Sequence, residues 1–186
     1  MNIREIEIRI AKSVIASLVL PSKIFEDGFD DFLFFDADLS SDCEFLEEIE
    51  RAYKLAFQEI DAGVIFLYAS NFASLANIER QASWAPGIGK MRSAMEAGNL
   101  HGGVILADEN LSWIAVQFSP VELGVLAVNL KKKNAFKFIR QLDRNWFFSI
   151  SDATAAVIDV DLPLNRALGS VFLEQLVANY STSNAG

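Results

Sequence analysis

Three short apolar runs follow one another in the middle of the chain, and the links between them allow only antiparallel pairing. Val104 to Ala107, Trp113 to Phe118 and Leu123 to Leu130 are strand-like, rich in residues that suit a pleated surface. Asp108-Glu109-Asn110 supplies turn chemistry after the first run, and Ser119-Pro120 breaks the chain after the second. A parallel pair needs a crossover of about a dozen residues or more. The three runs are therefore predicted to form an antiparallel meander.

The other segments read as helices and strands around that meander. Asn2 is placed to cap a first helix with Glu5 at the capping-box position, and Ile3, Ile6, Ile10, Val14 and Leu18 recur at helical spacing. Ile6, Ile8 and Ile10 also alternate as in a strand, and Pro21 ends the segment in either case. Phe32 to Phe35 predicts a short buried strand. Ser41 and Glu44 form a second capping-box pattern, opening a helix over about 42–60 with Phe45, Ile49, Tyr53 (or Ala52) and Ala56 on one face, stopped by Gly63. Val64 to Ala69 is the clearest strand. Residues 71–83 read as helical, Trp84 to Gly89 as a break, and Lys90 to Ala97 as a short helix closed by Gly98. Gly87-Ile88-Gly89-Lys90 reads as a helix-capping loop, since the spacing of a phosphate-binding loop is absent. A basic helix is predicted over Asn134 to Arg144 and a strand over Trp146 to Ile150. A last helix, opened by Asp161 and Pro163, places Leu164, Leu168, Val171, Phe172 and Leu176 on one face. The fold class that follows is α+β: a mixed, largely antiparallel sheet flanked by helices, in one domain spanning 1–186, with about the last six residues disordered. The three tryptophans, Trp84, Trp113 and Trp146, belong in or beside the core.

Function is constrained first by what the chain lacks. With a single cysteine, Cys43, and a single histidine, His101, there is no intrachain disulfide and no cysteine-rich zinc site. The two residues read as a helix-surface thiol and a loop imidazole. The longest uncharged stretch, Ala62 to Ile78, holds Gly63, Ser70, Asn71, Ser74 and Asn77 and is a poor membrane span. Glu5, Glu7, Arg9 and Lys12 interrupt the apolar N-terminus, which does not read as an export signal. A cytoplasmic location without membrane contact is expected.

What the chain has instead is segregated charge. Glu26 to Glu50 contains eleven carboxylates and no Lys or Arg, while the net charge of the whole is −9, so the remaining residues together carry +2, the difference between −9 and −11. Six of the fifteen phenylalanines, Phe25, Phe29, Phe32, Phe34, Phe35 and Phe45, lie in the same region. Like charges so concentrated repel one another, and a cationic partner relieves that repulsion while being steered by it. The predicted docking surface for a basic protein comprises Asp27, Phe29, Asp30, Asp31, Asp36, Asp38, Asp42, Glu44, Glu47 and Glu48, with aromatic anchors interleaved. No catalytic residue, metal ligand or cofactor is assigned. The counterpart is a basic cluster of Lys131, Lys132, Lys133, Lys137, Arg140 and Arg144 with Phe136 and Phe138 nearby. A net charge of −9 repels phosphate, which argues against nucleic acid. The cluster reads as a solvated helix face, or as a partner for the acidic segment within or between subunits. A monomer or weak homodimer is expected.

The stretch L-S-W-I-A-V-Q-F-S-P-V-E-L-G-V-L-A-V over Leu111 to Val128 loosely resembles hairpins of the small acidic immunity proteins that bacteria pair with nuclease-type toxins. That resemblance implies a non-enzymatic inhibitor that occupies the active surface of a basic toxin domain. Two other patterns compete for the acidic segment. From Asp36, oxygen-bearing residues fall at EF-hand spacing up to Glu47, with Ser41 where the calcium loop uses glycine. F-L-F-F-D-A-D-L-S resembles the first motif of haloacid-dehalogenase-like phosphatases. That resemblance implies Asp36 as nucleophile, Asp38 as acid/base, Ser70 on phosphate, Lys90 opening a helix as the family's lysine does, and Asp108 on Mg²⁺. Leu39 stands where that motif has glycine, and Ala107 and Ser112 interrupt the last one.

Overall fold

The computed structural model describes residues 3–26, 28–59, 62–79, 82–118 and 123–181. Its central sheet is antiparallel throughout, with the order β3-β2-β4-β5-β6-β1-β7 among the described residues. The strands are β1 (Asp31–Phe35), β2 (Val64–Tyr68), β3 (Ser74–Ile78), β4 (Val104–Asp108), β5 (Trp113–Gln117), β6 (Gly124–Val128) and the two-residue β7 (Phe148–Ser149). The predicted meander is β4-β5-β6, and β1 returns from the N-terminal side to pair along β6.

Helices cover both faces of this sheet, which explains why its central strands read as unbroken apolar runs rather than as alternating ones. On one face α2 (Cys43–Ala56), α3 (Ala85–Gly98) and α4 (Ala135–Gln141) pack over Leu33, Phe35, Phe66, Leu106, Trp113 and Leu126. On the other, α1 (Ile3–Ser13), α5 (Ile150–Ile158) and α7 (Ser170–Tyr180) pack over Phe32, Phe34, Ile65, Ile105, Ile114 and Val125. Short α6 (Pro163–Leu168) joins α5 to α7, and a 3₁₀ turn, Arg144–Trp146, precedes β7. The result is one α+β domain in three layers. The tryptophans lie as expected: Trp84 and Trp113 are fully buried, and Trp146 packs against the core.

Several boundaries differ from those read in the sequence. The segment 71–83 forms β3 rather than a helix, with residues 80 and 81 outside the described residues. A tight turn makes the difference: Phe72 adopts φ 60° and the Asn71 side chain accepts the Ala73 amide at 3.0 Å, folding the chain back onto β2. The expected break at 84–89 is the first turn of α3, where Pro86 sits comfortably. Gly87 serves packing rather than capping, because a Cβ there would lie 2.5 Å from Ile78 Cγ1. Helix α3 ends at Gly98, one residue later than expected, and is capped by Asn99 at φ 48°. Asp42, not Ser41, caps α2. The strand predicted over 146–150 shrinks to two residues, because Ser149 and Asp152 form a capping box that starts α5. The single last helix is two, separated at Gly169; α7 buries Leu173, Leu176 and Tyr180, while Val171 is exposed. Helix α1 stops at Ser13: Ile6 and Ile10 are buried on it and Ile3 is exposed, while buried Val14 and exposed Leu18 lie beyond its end. The proposed Asn2 cap and the expected C-terminal disorder over 182–186 lie outside the described residues.

Gly124 is paired in register with Phe35, and a Cβ at that position would lie 2.3 Å from the Phe35 ring. Gly124→Ala is therefore expected to destabilise the fold by about 1–3 kcal/mol through overpacking, read as a lower urea midpoint at unchanged slope.

Candidate interaction surface

The acidic segment begins as a strand and ends as a helix, and the turn between them is held from three directions. Strand β1 carries the chain to Phe35, and Asp36 then leaves the sheet exposed. Gln117, in the last position of β5, reaches under the turn: its Nε2 donates to the Ala37 carbonyl at 3.0 Å and its Oε1 accepts the Leu39 amide at 2.9 Å. Asp38 folds back on the turn, accepting the Ser40 amide at 2.7 Å and the Ser40 and Ser41 hydroxyls at 2.6 and 2.7 Å. Burial opposes ionisation of Asp38, but these hydrogen bonds outweigh it and hold the carboxyl below its ordinary range. From α3, Arg92 donates to the Ser40 and Ser41 carbonyls at 2.8 and 2.7 Å and approaches Cys43 Sγ at 3.3 Å. Asp42 then accepts the Phe45 amide at 3.0 Å and starts α2.

The predicted contact residues do not share one environment. Asp36, Glu44 and Glu47 are exposed, and no hydrogen bond or ion pair is made by them among the described residues. Asp30, Asp38, Asp42 and Glu48 have internal duties. Asp30 accepts the Leu130 amide at 3.0 Å and lies 3.8 Å from Lys131. Glu48 binds Arg51 at 2.7 Å and the Asp143 amide at 2.6 Å. Asp31 is half-buried; burial pushes its carboxyl up, against the Phe32 amide and the nearby Arg144. The phenylalanines are not surface anchors. Phe25, Phe32, Phe34, Phe35 and Phe45 are buried, and Phe29 packs on the core with its ring 5.3 Å from Phe25. A sheet covered on both faces leaves β1 no solvent side on which to display them. Asp27 lies outside the described residues.

The competing patterns do not assemble. The chain enters the Asp36–Glu47 turn from a strand, where a calcium loop requires a helix. Among the described residues, no three His, Cys, Asp or Glu side chains are grouped to hold a metal ion. Asp36 follows β1 and Ser70 follows β2, four strand spacings apart in the sheet order, or roughly 19 Å at the usual separation. Asp108 ends β4, which runs opposite to β2, so it lies at the other end of the sheet from Ser70. It is wholly buried, with Oδ1 accepting the Ser112 and Trp113 amides at 2.5 and 3.1 Å. Cys43 meets Arg92, while His101 is exposed and meets Asn99 at 3.1 Å.

Gln117 and Arg92 escaped the sequence reading, although Gln117 left a trace there. It is the lone polar residue in W-I-A-V-Q-F, a run whose neighbours are all buried, and a buried amide in such a place needs hydrogen-bond partners. No family model, curated protein or solved structure matches the chain.

Proposed function

We propose that the protein is a non-enzymatic binding protein of the bacterial cytoplasm, an immunity-type inhibitor that covers the active surface of a basic, nuclease-like toxin domain. The observation that carries this reading is the contrast between a clamped turn and the carboxylates on it and on the helix it starts. The turn's backbone is clamped by Gln117, Arg92 and Asp38, while Asp36, Glu44 and Glu47 remain exposed and unpaired among the described residues. A clamped turn loses little conformational freedom on binding, and unpaired carboxylates at its rim steer a cationic surface towards it. A toxin that grips phosphate with Lys and Arg presents such a surface.

The test is to purify the product of the gene immediately upstream and follow its binding to this protein by interferometry. A basic product should bind and lose its nuclease activity. The Asp36→Asn/Glu44→Gln/Glu47→Gln variant should associate about tenfold more slowly at low salt with little change in dissociation. Absence of binding, or unchanged association by the triple variant, would overturn the reading.

A further inference from the structure

Helices α2 and α4 lie side by side in one layer. The Glu48 carboxylate takes the Asp143 amide at 2.6 Å, and the Arg51 guanidinium reaches the Gln141 carbonyl at 2.5 Å. At the other end Lys133 lies 3.6 Å from Glu59. These links run the two helices antiparallel and fix their outward faces next to each other. The unpaired charges on the two helices are opposite in sign, because the α2 cations Arg51 and Lys54 are paired with Glu48 and Glu50. Glu44 and Glu47 stand exposed on α2, while Lys137 and Arg140 stand exposed on α4, and none of the four is in an ion pair or hydrogen bond among the described residues. The same two helices hold two exposed apolar side chains. Phe136 is 61% exposed, with the Arg140 guanidinium 5.7 Å from its ring centre, and Leu55 is 38% exposed.

We propose that this face is a self-association surface, on which two copies of the chain dock with the acidic α2 stripe of each against the basic α4 stripe of the other. Phe136 is buried in the contact. The choice of occupant follows from the charges. A purely basic surface laid across both helices meets Lys137 and Arg140, and a purely acidic one, nucleic acid included, meets Glu44 and Glu47. The fitting surface carries both signs side by side, and a two-fold contact supplies it because each copy presents the same patch to the other. Phe136, an unpaired aromatic beside an arginine, has the composition of an interface anchor rather than of a solvated helix face. Self-association does not depend on the toxin reading. Only the expectation that dimer and toxin compete for Glu44 and Glu47 rests on it.

Sedimentation equilibrium of the full chain tests the proposal. At 0.1 M salt the wild type should show a concentration-dependent dimer. Its dissociation constant should rise roughly tenfold or more at 1 M salt, as the screening length falls from about 10 Å to about 3 Å. Lys137→Glu/Arg140→Glu and Glu44→Lys/Glu47→Lys should each be monomeric, since each makes the patch self-repelling, and an equimolar mixture of the two should recover the dimer mass. Phe136→Ser should weaken the dimer about tenfold with an unchanged thermal midpoint. A wild type that stays monomeric at about 1 mM overturns the proposal. So do charge-reversed variants that dimerise like the wild type, or a mixture that remains monomeric. None of these outcomes involves the toxin, so failure here leaves the preceding section standing, and the converse holds.

Discussion

Between about pH 7.5 and about pH 4.5 the wild type should gain about 2 kcal/mol of stability relative to an Asp108→Asn variant. Asp108 is wholly buried, and its Oδ2 has no hydrogen-bond partner among the described residues. Burial pushes its carboxyl up to about 6 from 3.8, and the Trp113 and Ser112 amides only partly offset this. The folded state therefore holds a proton that the unfolded chain has already released between those two values. In that window the stability falls as pH rises, and above about 6 the loss is complete. The carboxamide of the variant retains an oxygen for the two amides and cannot ionise. The measurement is urea unfolding of both proteins at several pH values. Parallel curves for the two would mean that Asp108 ionises as it does in water. Asp38 acts in the opposite sense and in a different window: its lowered carboxyl contributes stability that is lost only as pH falls below about 4.

Gln117→Leu should cost about 3 kcal/mol and loosen the acidic turn. Leucine approximates the shape of glutamine, so the loss comes from the hydrogen bonds at 2.9 and 3.0 Å and from what they leave behind. Leu39 is wholly buried and Ala37 nearly so, so neither the Leu39 amide nor the Ala37 carbonyl finds water as a replacement. Each orphaned backbone group costs about 1–3 kcal/mol. Urea unfolding gives the stability, and hydrogen exchange at the Leu39 amide reports the turn itself, with protection falling by orders of magnitude. A change below about 0.5 kcal/mol with intact protection at Leu39 would show that the turn holds without its clamp.

Strands were legible where side-chain pattern and link length agreed. The β4-β5-β6 meander, β1 and β2 were all visible as apolar runs with turn residues between them, because their burial on both faces left nothing polar to blur the boundaries. What escaped was structure set by contacts distant in sequence. Residues 74–78 are a strand because they lie along β2, and their own composition, S-L-A-N-I, does not demand one. The Ser149–Asp152 capping box was present as S-x-x-D, yet the apolar run across it argued for a strand. At the acidic surface the charge was obvious and its division was not. Asp42 and Glu48 look like Glu44 and Glu47 in the sequence, but one caps α2 and the other binds Arg51 and the start of the 3₁₀ turn. The phenylalanines misled for the converse reason: aromatic residues between acids suggest anchors only if one side of the strand faces water.

The two margins of the sheet have a bearing on solubility. At one margin the β7 ladder stops after two residue pairs, and the amide of Phe32, next along β1, is taken by the Asp31 carboxylate at 2.9 Å. At the other margin the Ser74 amide of β3 is taken by Glu7 of α1 at 3.1 Å. Each carboxylate occupies a backbone donor that a foreign strand would otherwise recruit, and each places a negative charge where that strand would have to lie. A chain whose interior is built from runs such as V-I-F-L-Y and G-V-L-A-V carries segments of the kind that stack into fibrils once exposed. Two acidic side chains, one near each margin of the sheet, thus act as terminators that keep the sheet finite.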